Sequence, residues 1–166
     1  LTDAACCAVD SSVLINFLAL DRLDLLAASS RLQLVVPAEV IGEVHRKAQV
    51  RRLKHGIDRG LVRRVVLQGT EEIAVYQSLL EIIEPGEAAC LSLAHHRGWL
   101  IACDEKRAFR REAKRLLSED RLLTTASALL LAIRDGKLTV EEADRLKTKL
   151  EEHRFRMKIA SFRDLL

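Results

Sequence analysis

The stretch Ala4–Asn16, AACCAVDSSVLIN, constrains the fold more than any other part of the chain. Ala4 to Val9 run without a charge, Asp10 follows, and Ser11 and Ser12 come directly after it. Val13, Leu14, Ile15, Phe17 and Leu18 then resume apolar character at helical spacing. A short apolar run bounded by a polar cluster predicts a parallel strand buried on both faces. The serine pair predicts a helix N-cap, because a hydroxyl accepts from the free N–H groups of a first helical turn. Asp10 then stands where a buried strand hands over to a helix, the edge of an open α/β sheet at which ligands bind.

On its own, an Asp after a strand is most often just a cap. A second copy changes the argument. Leu100-Ile101-Ala102-Cys103 is another short apolar run, and it ends in Asp104. Behind it Ala108, Phe109, Ala113, Leu116 and Leu117 fall among basic residues in a helical pattern. Two strands that end in Asp place two carboxylates on one rim of one sheet. Like charges brought together repel and raise each other's pKa, which calls for a cation between them.

At 166 residues the chain has the size of a single domain, 1–166, able to bury a substantial core. Hydrophobic residues make up 49% and charged residues 31%, a globular balance rather than a disordered one. Aromatics are only 4%, so aliphatic side chains must fill the core. There is no run of about 18 apolar residues, hence no expected membrane span, and Leu1-Thr2-Asp3 lacks the basic region of a signal peptide. Cys6, Cys7, Cys90 and Cys103 lack the C-x-x-C spacing of a zinc site and are read as small core hydrophobes, consistent with a reducing cytoplasm. Net charge is only +3, but it is unevenly spread. Eight Lys or Arg against Asp58 alone lie between His45 and Arg64, and six against Glu105 and Glu112 lie between Glu105 and Arg115. Such runs either bind phosphate backbones or form a solvated helix face.

The order of elements is αβ-alternating. Asp21 or a neighbour caps a second helix carrying Leu23, Leu25, Leu26 and Ala27. Leu32–Val36 forms a strand, and Pro37 opens a helix with Glu39 and Glu43 on one face. A basic helix follows to about Arg59, with Gly56 and Gly60 as breaks, and then a strand over Leu61–Leu67. Thr70 caps a helix over Glu71–Glu81. After the break Pro85-Gly86, Glu87 opens AACLSLAHH, where the positive helix end favours an ionised carboxylate. Gly98 ends that helix and Trp99–Cys103 is the next strand. The pair Leu122-Leu123 leads into a helix closed by Gly136, and Thr139 with Glu142 forms a capping box for VEEADRLKTKLEEH. Phe155, Met157 and Ile159 alternate as an edge strand or extended arm, and Ser161 caps a final turn. Right-handed crossovers then build a mainly parallel sheet.

Asp10, Glu43, Glu87 and Asp104 stand out as a set. Each ends an apolar element or opens a helix, and oxygen donors without His or Cys suit Mg²⁺ or Mn²⁺. The sequence here resembles the PIN-domain family. The motifs are AVDSSVLINF, VPAEVIGEV, PGEAACLSLA and LIACDEKRAFRREA, in the family's order across roughly residues 4–136, with residues 137–166 as a C-terminal helix and arm. LLTTASALLLAIRDGKL is similar to the branch of bacterial and archaeal PIN proteins related to VapC-type toxins. The resemblance implies a three-layer α/β/α sandwich and a metal-dependent endoribonuclease. Asp10, Glu43, Glu87 and Asp104 would be its acidic set on Mg²⁺ or Mn²⁺. It gives Ser12 a bond to a carboxylate or to water on the metal, makes Asn16, one turn on, a supporting candidate, and brings Arg107 to phosphate or to the acids. RNA is the implied substrate, with a protein antitoxin and a second copy of the chain as candidate partners and the cytoplasm as the setting. The departure lies at Thr124-Thr125, where relatives often carry glycines, and neither threonine is assigned a role.

Several residues imitate site residues. Glu39 precedes Glu43 by one turn, and the pattern V-x-x-E favours Glu43, leaving Glu39 to serve the helix dipole. His95-His96 lies about 12 Å along the helix from Glu87 at 1.5 Å per residue and reads as a C-terminal dipole partner. Two other functions compete. One is a PIN fold that binds RNA or protein without turnover; the low aromatic content argues against stacking-based single-strand binding. The other is a phosphatase or receiver using Asp10, against which stands the missing second Asp two residues on.

Overall fold

The computed structural model describes residues 5–27, 32–104 and 106–166. Leu1-Thr2-Asp3, Ala4 and Glu105, used in the sequence reading, lie outside the described residues. The elements run β1 (Ala5–Val9), α1 (Ser11–Leu20), α2 (Leu23–Leu26), β2 (Leu32–Pro37), α3 (Ala38–Gly42) and α4 (Lys47–Asp58). They continue with β3 (Val62–Val65), α5 (Gly69–Leu79), α6 (Pro85–Arg97), β4 (Leu100–Ala102), α7 (Arg107–Leu116), β5 (Leu122–Leu123), α8 (Thr125–Arg134) and α9 (Val140–Glu152). No helix among the described residues is long and apolar enough to cross a membrane.

The five strands are all parallel, in the order β3-β2-β1-β4-β5. The chain steps outward from β1 to β3, returns, and places β4 on the other side of β1. This makes the β1/β4 boundary the topological switch point, where the carboxyl ends of two strands open a crevice between diverging connections. Cys7, Ala8, Val9, Leu34, Val35, Val36 and Ile101 are buried on these central strands, which explains their continuous apolar runs. Helix α6 lies against β1, β2 and β4 and joins α3, α5 and α7 in one layer; α1 joins α2, α4 and α9 in the other. The result is the α/β/α sandwich the sequence predicts.

Local departures have local causes. Asp10, not the serine pair, is the N-cap of α1: its side chain accepts from Ser12 N, and the serines form the first turn. Pro37 is the last residue of β2 and the N-cap of α3 rather than its first helical residue. Gly56 is inside α4 instead of breaking it; a Cβ there would lie 2.9 Å from Leu23 Cδ1, so the glycine is a contact point between helices. Thr70 does not cap α5. Gln68 is the N-cap, and Glu72 Oε2 accepts its N–H at 2.7 Å. Pro85-Gly86 forms the first turn of α6, with Glu84 as N-cap. Phe155, Met157 and Ile159 form no strand; their alternation presses one side of an irregular segment onto the core.

One ion pair joins α5 to α6. Arg97 Nε donates to Glu72 Oε1 at 2.7 Å and Arg97 Nη2 to Oε2 at 2.9 Å, while Ser92 Oγ donates to the Glu72 carbonyl at 2.7 Å. The Arg97 guanidinium holds Glu72 below the ordinary carboxylate range. A depressed folded pKa stabilises the fold above the unfolded value of about 4.3, and that contribution is lost as pH falls through the folded value. Glu72→Gln is expected to destabilise by about 1–3 kcal/mol at neutral pH. Denaturant titrations should show the gap to wild type shrinking in acid below that range; a gap independent of pH contradicts the assignment.

Candidate metal centre

The centre forms where β1 and β4 end side by side. Asp10 N–H donates to Ala102 O at 2.9 Å, which keeps the two strand ends in register. The Asp10 side chain is buried, and its two oxygens differ. Oδ2 accepts from Ser12 N at 3.1 Å, Ser12 Oγ at 2.6 Å and Cys103 Sγ at 3.5 Å. Oδ1 is buried and has no hydrogen-bond partner among the described residues. The two readings of an Asp after a strand therefore both hold: one oxygen caps the helix and the other is left for something else.

Glu87 repeats the pattern. Its place at the third position of α6 makes it the reciprocal arm of a capping box, so Oε2 accepts from Glu84 N at 3.2 Å. Oε1 is buried, without a hydrogen bond, 3.5 Å from Lys106 Nζ. Burial raises the Glu87 pKa; Lys106 and the Glu84 N–H offset this, and Asp10 adds to the rise. Cys103 completes the group: Asp10, Glu87 and Cys103 each offer a ligand atom within 4.8 Å of the others. Cys103 lies in the apolar core with Cys7 and Cys90, as the sequence predicts, and its Sγ also faces this group. Burial, then the Asp10 charge, pushes the Cys103 thiol far up, so it is a neutral donor to Asp10.

Asp104 sits on the same rim with both oxygens held. Oδ1 accepts from Thr125 N at 2.8 Å; Oδ2 accepts from Thr125 Oγ1 at 2.6 Å and Asn16 Nδ2 at 3.0 Å. Burial raises its pKa against these bonds, and Asp10 raises it further. Ser12 Oγ accepts from Asp104 N–H at 3.1 Å while donating to Asp10, so Ser12 links the two strand ends. Thr125, left without a role in the sequence reading, is fully buried and clamps Asp104. The missed signal was Leu122-Leu123: as β5 it brings the start of α8 to the rim, but two residues are too short to show a strand period.

Glu43 stands at the end of α3. Its Oε1 accepts from Gly86 N at 3.0 Å, and a Cβ on Gly86 would lie 2.7 Å from both carboxylate oxygens, so the glycine admits Glu43 to the mouth of α6. Glu43 is outside the tight Asp10–Glu87–Cys103 group, as is Asp104. Glu39 occupies the first turn of α3, as read, though its Oε2 is also buried and unpartnered. Arg107 is exposed at the start of α7, and the cation nearest the acids is its neighbour Lys106. His95 and His96 lie in the last turn of α6, on the carbonyls of Leu116 and Ser92.

Buried carboxylate oxygens without partners carry a desolvation cost that a cation relieves. Asp10, Glu87 and Cys103, with Asp104 and Glu43 around them, make a mainly oxygen donor set that could hold a metal ion. The residues present therefore fit a metal ion. Among family models, one described as PIN domain matches residues 6–166, which takes in α9 and the C-terminal arm. No curated protein matches the chain.

Two outcomes follow. Without metal, Glu87→Gln should leave the melting temperature unchanged or raised, because it removes a poorly compensated buried charge. Mn²⁺ should raise the wild-type value by several degrees and that of the variant much less; equal rises contradict the site. Thr125→Val keeps the N–H bond to Asp104 but removes the hydroxyl. It should cost about 1–3 kcal/mol in chemical denaturation, the range for a hydrogen bond to a charged group.

Proposed function

The chain belongs to the PIN-domain family, a fold of the nuclease type, and from that premise we propose that it is a Mg²⁺- or Mn²⁺-dependent single-domain endoribonuclease hydrolysing RNA phosphodiester bonds. The observation that carries the reading is the pair of buried oxygens without a hydrogen bond, Asp10 Oδ1 and Glu87 Oε1, the second met only by Lys106, near the switch point of the sheet. In this reading Asp10, Glu43, Glu87 and Asp104 hold the metal. A bound cation supplies a nucleophilic water at neutral pH and positive charge for the oxyanion developing on the phosphodiester.

The chain's own residues do the rest. Ser12 keeps the Asp10 and Asp104 ends at a fixed separation. Asn16 and Thr125 hold the Asp104 carboxylate in one orientation. Lys106, with its side chain 63% exposed, swings between Glu87 and an incoming phosphate, and Arg107 beside it adds a second positive charge at the mouth. Much of the basic run on α7 is committed within the fold, since Arg111 and Arg115 pair with the buried Glu112 and Lys114 pairs with Glu119. The likeness of residues 122–138 to the VapC-related branch supports a cytoplasmic toxin neutralised by a protein antitoxin, with the chain acting as a homodimer.

The test is cleavage of labelled RNA and DNA panels with Mg²⁺, with Mn²⁺ and with EDTA. Wild type should cut RNA only with metal. Asp10→Asn and Asp104→Asn should each lose activity by about 100-fold or more, the upper end of what even outer-shell residues cost, with folding intact by circular dichroism. RNA bound equally with and without chelator and never cut would favour a binding module instead.

A further inference from the structure

Beside the metal centre lies a second concavity of about 280 Å³, close to the lower bound of small-molecule pockets. It shares Asn16 and Glu43 with the centre and is otherwise walled by Ile15 and Ala19 of α1, the entry to α4, and His153 after α9. Asn16 bonds Asp104 and also lines this pocket, so the two spaces are adjacent.

Three features point to what it takes. The first is Gln49. Its side chain is 5% exposed, lines the pocket, and makes no hydrogen bond to any described residue. A primary amide offers two N–H donors and a carbonyl acceptor; these atoms are not closed off from solvent, and on a residue this buried the pocket is where a ligand can meet them. The second is the start of α4. No side chain caps it, no acid lies in its first turn, and its N-cap is Arg46, followed by Lys47. Positive side chains at the positive end of a helix repel the dipole, and an anion placed there relieves both. Arg46 is exposed and makes no ion pair among the described residues. The third is a pair of imidazoles, His45 and His153, both lining the pocket, opposite the aliphatic wall of Ile15 and Ala19. Imidazole and guanidinium planes, with an amide for the base edge, are what proteins use to hold an unstacked base of single-stranded RNA.

We propose that this pocket is a nucleotide subsite for the residue flanking the scissile phosphate of single-stranded RNA. Gln49 reads the base edge, His45 and His153 pack against the base, and Arg46 with the α4 N-terminus binds the adjoining phosphate. The proposal rests on the ribonuclease reading and deepens it. Gln49 is the specificity-determining residue, and the C-terminal segment, through His153, is part of the substrate site.

The experiment measures binding of four fluorescein-labelled RNA 8-mers, each carrying a different base at its central positions, in EDTA by anisotropy. Wild type, Gln49→Leu, Arg46→Ala and His153→Ala are compared, with thermal melts as folding controls. Gln49→Leu should weaken one or two of the four RNAs about tenfold, the scale of a lost bidentate base contact, and leave the others nearly unchanged. Arg46→Ala should weaken all four alike and reduce the slope of log K against log salt by about 0.7. Unchanged affinities in Gln49→Leu, Arg46→Ala and His153→Ala overturn the subsite. If Gln49→Leu does not fold, Arg46→Ala and His153→Ala decide, since both positions are exposed. The two readings fail separately. RNA cut normally by variants whose binding is unchanged removes the subsite and keeps the nuclease. Base-selective binding lost in Gln49→Leu, in a protein that cuts nothing with Mg²⁺ or Mn²⁺, keeps the subsite and removes the nuclease.

Discussion

One hydroxyl holds the rim together. Ser12 Oγ donates to Asp10 Oδ2 and accepts from the Asp104 N–H, so a single oxygen spans the ends of β1 and β4. Parallel strands diverge where their ladder stops, because their connections leave in different directions. The Asp10 N–H on Ala102 O extends the ladder by one more bond, and the Ser12 link fixes the two carboxylates beyond it. Asn16 and Thr125 then clamp Asp104 from two helices in turn, α1 and α8. Each of these groups is placed by the sheet order, since β1 lies between β2 and β4, and β5 follows β4.

The same rim stores unfavourable electrostatics. Burial raises the pKa of both Glu87 and Asp104, and the charge of Asp10 adds to each. The fold offsets this only in part: with the N-termini of α1, α6 and α8, the Ser12 and Thr125 hydroxyls, the Asn16 amide, a thiol and Lys106. What is left over includes Asp10 Oδ1, buried without a partner, and Glu87 Oε1, met only by Lys106. Buried polar atoms are otherwise almost always paired, and a bound cation would relieve both. Glu43 belongs to this balance through Gly86, whose missing Cβ is the space its carboxylate fills.

In the proposed reading, capping and ligation would be one device. Asp10 and Glu87 each use one oxygen on a helix N-terminus and leave the other without a hydrogen bond. The cap sets the rotamer, so the free oxygen is already aimed, and a cation meets a site that needs little reorganisation. This also explains why the serine pair was read as the cap. The local pattern is compatible with Asp or Ser in that role, and only the position of β4 decides which side chain turns back toward the rim.

Much of this was legible in the chain itself. The apolar runs ending in Asp10 and Asp104 specify buried parallel strands because period and burial are local properties of side chains. Pro85 followed by Glu87, and Thr139 followed by Glu142, specify helix starts because capping geometry spans only four residues. The order of the four acids carried the family. Other features depended on residues far apart in sequence. Cys103 is core filler, and only the fold shows that its Sγ also stands 3.5 Å from Asp10. Thr125 has no local mark of function and gains one only when a two-residue strand delivers it to Asp104. Gln49 reads as one polar residue in a basic helix, and only the fold makes it a nearly buried residue on the wall of a pocket that it shares with α1 and His153. Sequence determines which groups stand at the ends of elements. The packing of those elements decides which atoms are left without partners, because satisfaction of a buried polar atom is a property of its neighbours in space and not of its neighbours in the chain.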